Sequence, residues 1–148
     1  MITRLALAAL VLSCTAIAGA YLLAFLPGGA PPLAAWGLAL GSAGALSSMM
    51  ALGAARGGKL RPVALVACVL TFLVVGGAFG LALYLPANEG KDAVLVLGFP
   101  LRTAIVLYGV GIVPMLFLPA AYALSFDADT LSDDDLERVR HAGQERGA

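Results

Sequence analysis

Four long stretches of the chain contain no charged residue and no histidine, and this feature limits the possible fold more than any other. They are residues 5–26, 33–54, 62–85 and 103–126. A helix rises about 1.5 Å per residue, so each stretch is long enough to cross a hydrocarbon layer of about 30 Å. Lipid cannot satisfy open backbone groups, and the stretches are too long for barrel strands. The sequence therefore predicts an all-α fold, an integral membrane four-helix bundle.

The first stretch follows Arg4 and contains the small residues AIAGA at 16–20, a combination that also occurs in signal peptides. Its apolar run continues to Leu26, which is too long for a signal core, so we expect a retained first span. Of the 148 residues, 61% are hydrophobic and 12% are charged, proportions that are rare in a water-soluble domain of this size.

Basic residues in the short connections predict the orientation. The connection at 27–32 is uncharged, whereas the one at 55–62 reads ARGGKLRP and has three positive charges. Because positive loops stay in the cytoplasm, and Arg4 lies on the same side, we expect both termini to be cytoplasmic in a multi-pass protein of the cell membrane.

After the spans at 1–126, the residues at 127–148 form an acidic tail with seven acids and three arginines. Such a distribution gives no footprint for nucleic acid. Ser132 is a candidate N-cap, Asp135 is its reciprocal capping acid, and Gly143 ends the segment, so a short cytoplasmic helix is predicted. It is either a solvated cap or a docking element for a cytoplasmic partner.

The third connection, at 86–102, has an apolar part from Ala93 to Phe99 that is too short to span. One interpretation is a short interfacial or re-entrant segment that ends at Pro100. The other is a single tilted helix that begins at Ala93 and kinks at Pro100. We expect Arg102 to snorkel to the outer headgroups.

Small residues spaced by four allow helix backbones to approach closely in lipid. The second and third spans contain such stripes, which suggest the packed centre of the bundle. The helix-packing candidates are Gly37, Gly41, Gly44, Ser48, Gly76 and Gly80. The hydroxyls of Ser42, Ser47 and Ser48 are expected to bond back to their own helix.

The fourth span contains helix breakers. Two prolines remove amide donors and free carbonyls near Val110 and Met115, while two glycines leave a notch without side chains. The span either seats against a partner or hinges, or its kink is satisfied within the monomer. The partner-interface candidates are Gly109, Gly111, Pro114, Pro119, Tyr108 and Tyr122.

Groups that chemistry requires are missing from the spans. There is no carboxylate for proton coupling and no base to activate a hydroxyl, and the one histidine, His141, lies in the tail. Cys14 and Cys68 form no CxxC motif and are expected to be buried apolar side chains. We expect no enzymatic activity, no cofactor and no metal.

The fourth span resembles the last helix of the small subunit of bacterial two-component sodium/solute symporters. Residues 99–101 read FPL, Gly109 follows, and Tyr122 and Ala123 precede Asp127, similar to the FPLG entry, the QGS and the terminal YA of that family. This chain departs from the pattern at three positions and has four predicted spans where the family usually has two. The departures are Arg102 for Gly, Tyr108 for Gln and Val110 for Ser.

The resemblance implies an accessory subunit beside a large sodium-coupled carrier, in the bacterial inner membrane. Our first hypothesis is therefore a non-catalytic subunit that stabilises or regulates a larger membrane protein through the fourth helix and the tail. A second is a homo-oligomeric passive pore or facilitator, and a third is a small structural subunit of a respiratory or energy-coupling complex. The pore would be lined by Ser42, Ser47, Ser48, Thr71, Thr103 and Tyr108.

Overall fold

The structure, a computed structural model, describes residues 2–55, 59–86 and 95–130, with side chains to residue 123. Four of its helices are long and apolar enough to cross a membrane, and each of these spans has 23 residues. They are Ile2–Ala24, Pro32–Ala54, Pro62–Tyr84 and Leu101–Ala123. The predicted all-α fold is confirmed, and the four helices are those of a multi-pass membrane protein.

Prolines define where the second and third helices begin. The first three helices are α1 (Ile2–Ala24), α2 (Pro32–Ala54) and α3 (Pro62–Tyr84). Pro32 and Pro62 occupy the first helical position, where a missing N–H removes no intrahelical bond. Between α1 and α2, Gly28 and Gly29 have φ of 109° and 94°, a conformation that reverses the chain and that side chains other than glycine rarely adopt.

The helices follow one another in an open bundle. α1 packs on α2, α2 packs on α3, and α3 packs on the last helix. Within the described ranges, no Cα atom of α1 comes within 8 Å of α3 or of the last helix. The apolar window of α1 is 11% buried inside the chain, as is that of the last helix, whereas that of α3 is 33% buried. Both outer helices therefore have most of their surface outside the bundle.

The core of this bundle consists of small side chains. Ala43 is completely buried, while Leu22 is 72% and Leu73 61% exposed. Large apolar side chains thus point outward, the reverse of a water-soluble protein and the arrangement that lipid allows. The buried hydrophobic residues are Ala6, Ala20, Ala34, Ala39, Ala43, Ala67, Cys68, Val75, Ala78, Ala82 and Ala104.

The last span, residues 101–130, is a helix with an irregular middle. It consists of α4 (Leu101–Val106), a π-helical segment (Leu107–Ile112) and α5 (Val113–Thr130). At the end of the π-helical segment, the N–H of Val113 bonds the carbonyl of Tyr108, five residues back. The wide turn directly precedes Pro114, which has no N–H to offer to an α-helical bond.

The helix continues beyond the predicted limit of the membrane domain at residue 126 and reaches Thr130, the last residue that the structure describes. The first four residues of the predicted tail, 127–130, are therefore helical in α5. The predicted short helix from Ser132 lies outside the described residues.

A hairpin precedes the last span. Strands β1 (Leu95–Val96) and β2 (Phe99–Pro100) are antiparallel, with Leu95 opposite Pro100. Leu97 and Gly98 have φ of 50° and 87°, and two positive φ angles are characteristic of a type I′ turn. The predicted helix from Ala93 through Pro100 is thus wrong for residues 95–100, and Ala93 itself lies outside the described residues.

The turn allows a prediction in two directions. Leucine disfavours positive φ by about 1–2 kcal/mol, so Leu97→Asn should stabilise the hairpin, whereas a β-branched side chain in Gly98→Val should open it. Amide hydrogen exchange at Val96 and Phe99, followed in detergent, should slow by about fivefold in the first variant and accelerate in the second, since about 1 kcal/mol corresponds to that factor. Equal exchange in both variants would contradict the positive-φ turn.

Candidate functional site

The described residues of the last span contain one ionisable cation, Arg102, and its side chain caps α3. The Nε of Arg102 donates a hydrogen bond of 2.6 Å to the carbonyl oxygen of Ala82. In a continuing helix the donor to this carbonyl would be residue 86, but residue 86 is a proline and has no N–H. The last regular bond of α3 runs from the N–H of Leu85 to the carbonyl of Leu81. The prediction that Arg102 snorkels to the outer headgroups did not include this contact with α3.

The two glycines of the last span face different surroundings. A Cβ atom built on Gly109 would lie 2.5 Å from the Cβ of Ala78 in α3, closer than real Cβ contacts allow. A Cβ built on Gly111 would meet nothing within 4 Å. Gly109 is therefore a packing residue within the chain, and the notch expected at both glycines is occupied at one of them.

The prolines divide in the same way. Pro114 is buried, whereas Pro119 is exposed in the middle of α5. Tyr108 is half-buried, and Tyr122 is 64% exposed. Of the partner-interface candidates, Gly109 and Pro114 are thus enclosed within the chain.

Four exposed residues of the last span fall on one face, at spacings of four, four and three. We call this face the outward stripe, and its members are Gly111, Met115, Pro119 and Tyr122. Because Pro119 has no N–H, the carbonyl of Met115 lacks its α-helical donor on this exposed face. Gly111 and the carbonyl that Pro119 leaves without its α-helical donor therefore occur together on an exposed face of the last span.

The packing candidates of α2 face α1. Built Cβ atoms would lie 3.2 Å from Ala20 at Gly37, 2.8 Å from Ile17 at Gly41, and 2.5 Å from the Oγ of Ser13 at Gly44. α1 therefore approaches α2 along positions that have no side chain.

The glycines of α3 face the other side of α2. Gly76 lies opposite Ala43, and a Cβ built on Gly80 would be 3.1 Å from the ring of Trp36. The glycines of α2 and those of α3 thus mainly contact different neighbours, although a Cβ built on Gly44 would also lie 3.9 Å from the ring of Phe72 in α3. The sequence-based prediction missed the buried alanine pair of α2, Ala39 and Ala43, on the side that faces α3. These two residues have the same spacing of four as the glycines that were predicted.

The serine and threonine hydroxyl groups of the spans differ in burial and in hydrogen bonding. Thr71 is fully buried and donates to the carbonyl of Ala67 at 2.8 Å. The buried Oγ of Ser47 has no hydrogen-bond partner among the described residues, so the expected bond to its own helix is wrong. Ser48 is 7% exposed, while Ser42 and Thr103 are exposed.

Neither cysteine belongs to a metal group. Cys68 is buried as predicted, whereas Cys14 is exposed, because α1 has only one neighbouring helix. In the part of the chain that the structure describes, no three His, Cys, Asp or Glu side chains are close enough together to hold a metal ion.

The contrast between the two glycines provides a matched test of the last interface. Gly109→Ala should push α3 and the last span apart and lower the free energy of unfolding by about 1–3 kcal/mol, as overpacking does. Gly111→Ala should leave it within about 0.5 kcal/mol or raise it, because its Cβ meets open space. Thermal unfolding in detergent measures both.

A second variant tests the cause. Removing the opposing methyl group in Gly109→Ala/Ala78→Gly should recover much of the stability lost in Gly109→Ala, so that the double-mutant cycle shows coupling. Equal unfolding temperatures for Gly109→Ala and Gly111→Ala would contradict the contact.

Comparisons of the chain with models of known families, with curated proteins and with solved structures found no match. The resemblance of the last span to the symporter small subunits therefore stays a prediction.

Proposed function

We propose that the protein is a non-catalytic accessory subunit that stabilises or regulates a larger integral membrane protein, and that it docks through the outward stripe of its last span. The observation that supports this most directly is the combination on that stripe of Gly111, Pro119 and the carbonyl of Met115. A helix from another chain can approach closely at a glycine. It can also donate a hydrogen bond to a carbonyl of this span that lacks its helical donor.

The open arrangement of the helices supports the same conclusion. Only 11% of the apolar window of the last span is buried inside the chain. Where α5 faces α3, the two helices border an apolar groove of about 390 Å³. Its walls include Val63, Val66 and Leu70 from α3 and Phe117, Ala120 and Ala121 from α5.

As the partner we propose a large sodium-coupled solute carrier, on the strength of the resemblance at residues 99–101, 109 and 122–123. Of these positions, Gly109 contacts Ala78 within the chain, while Tyr122 belongs to the outward stripe. We further propose the bacterial inner membrane as the location, with both termini in the cytoplasm, because the connection at 55–62 is basic. The acidic tail would then lie beside the cytoplasmic face of the carrier.

The composition of the complex tests the proposal. Extraction from the native membrane in mild detergent, followed by native mass spectrometry, should give one or more copies of this chain bound to a larger membrane protein. Gly111→Phe should reduce the recovered partner by about tenfold, because the ring separates the two backbones at the stripe; such a loss corresponds to about 1.4 kcal/mol. Gly77→Phe, at an exposed glycine of α3 that meets nothing within 4 Å, is the matched control and should retain the partner.

A lone monomer or a homo-oligomer in that experiment would contradict the accessory role. Liposomes that contain only this chain should show no solute or ion flux, and measurable flux would support the pore instead.

A further inference from the structure

A second groove lies on the other half of the interface between α3 and the last span, next to Arg102. It has a volume of about 480 Å³ and is open on one side. Besides Ala82, it is lined by Phe79, Leu83, Arg102, Thr103, Val106 and Leu107. We call it the Arg102 groove.

The groove changes from polar to apolar along its length. Arg102 and Thr103 lie in the first turn of α4, next to the hairpin that precedes the span. Val106 and Leu107 follow one turn deeper on the same face of that span, and Phe79 lies one turn deeper than Leu83 in α3. Positively charged and hydroxyl groups therefore occupy one end, and hydrocarbon lines the other.

Arg102 is held in position by the end of α3. Its Nε is engaged with the carbonyl of Ala82, which fixes the guanidinium against the end of α3. A guanidinium has five N–H donors, so four remain on the two NH₂ groups. A cation beside apolar walls is stabilised by an anion that binds there.

We propose that the Arg102 groove binds an anionic phospholipid, with its phosphate on Arg102 and one acyl chain along the apolar walls. A guanidinium matches phosphate oxygens geometrically, and the hydroxyl of Thr103 supplies a further donor. Basic pockets between membrane helices bind lipid headgroups by this chemistry. The apolar end distinguishes a lipid from free phosphate, because free phosphate has no group to place against Phe79 and Val106.

Native mass spectrometry of the delipidated full chain in detergent tests the site. Phosphatidylglycerol should bind about tenfold more tightly than phosphatidylcholine with the same acyl chains, and Arg102→Gln should abolish this preference, since the preference corresponds to about 1.4 kcal/mol. Arg102→Lys should keep part of it. Lys59→Gln removes an exposed charge outside the groove and should leave the preference unchanged.

A variant at the apolar end separates the lipid from an effect of charge alone. Val106→Trp should fill the groove and weaken the binding of both lipids, while Arg102 stays in place. It also keeps the test valid if Arg102→Gln disturbs the cap on α3, which a thermal unfolding curve of each variant will show.

Three results would overturn the proposal. They are equal affinity for the two lipids, an unchanged preference in Arg102→Gln, and displacement of phosphatidylglycerol by millimolar inorganic phosphate with no effect of Val106→Trp. The last of these would identify a site for free phosphate. The outcome is independent of the partner proposed above, since the experiment contains only this chain and lipid.

Discussion

Close approach of helix backbones, made possible by glycine and alanine, is the constraint on which the rest of this structure depends. Lipid tails are as apolar as leucine, so burying large side chains between membrane helices gains little, and contact has to come from small residues. Gly41 and Gly44 admit side chains of α1, Gly80 admits Trp36, and Gly109 admits Ala78. Each interface in the sequential row of helices has at least one position of this kind.

The same constraint explains why large side chains remain outside. Once backbones are close, a Leu or Phe has no room at the contact and has to point outward, where lipid accepts it. The result is an open bundle whose two outer helices are covered on one side only. In water such a surface would cause aggregation, whereas in a membrane it is available to lipid and to other helices.

A second requirement is that buried backbone groups have hydrogen-bond partners. A proline removes one donor at a defined position in the chain. Pro86 leaves the carbonyl of Ala82 without its helical donor, and Arg102 supplies one from the next span. The cation is thus fixed at the point where α3 ends and α4 begins. One missing N–H therefore accounts for both the cap on α3 and the position of a positive charge beside an apolar groove.

Much of the fold was predictable from charge and hydropathy, because a stretch of 22 or more uncharged residues has few alternatives to a helix in lipid. It was not predictable which stripe faces which helix. A glycine such as Gly37 or Gly76 does not indicate which helix packs against it, and spacing alone does not distinguish the two faces of α2. The hairpin at 95–100 depends on a positive φ angle at Leu97, and a leucine in a sequence does not indicate this conformation. The π-helical segment was recognisable only as an irregularity near Pro114.

The four helix breakers of the last span differ in what covers them. Gly109 contacts Ala78, and Pro114 is buried, so the chain itself covers these two. Gly111 and Pro119 lie on the exposed face, where a Cβ on Gly111 would meet nothing within 4 Å and where Pro119 offers no amide to the carbonyl of Met115. A weakened backbone bond that faces lipid is costly, because lipid cannot donate to a carbonyl. Another polypeptide at that face would remove the cost, and this is the physical reason for placing the partner at the outward stripe rather than on α1, whose exposed surface is an unbroken helix.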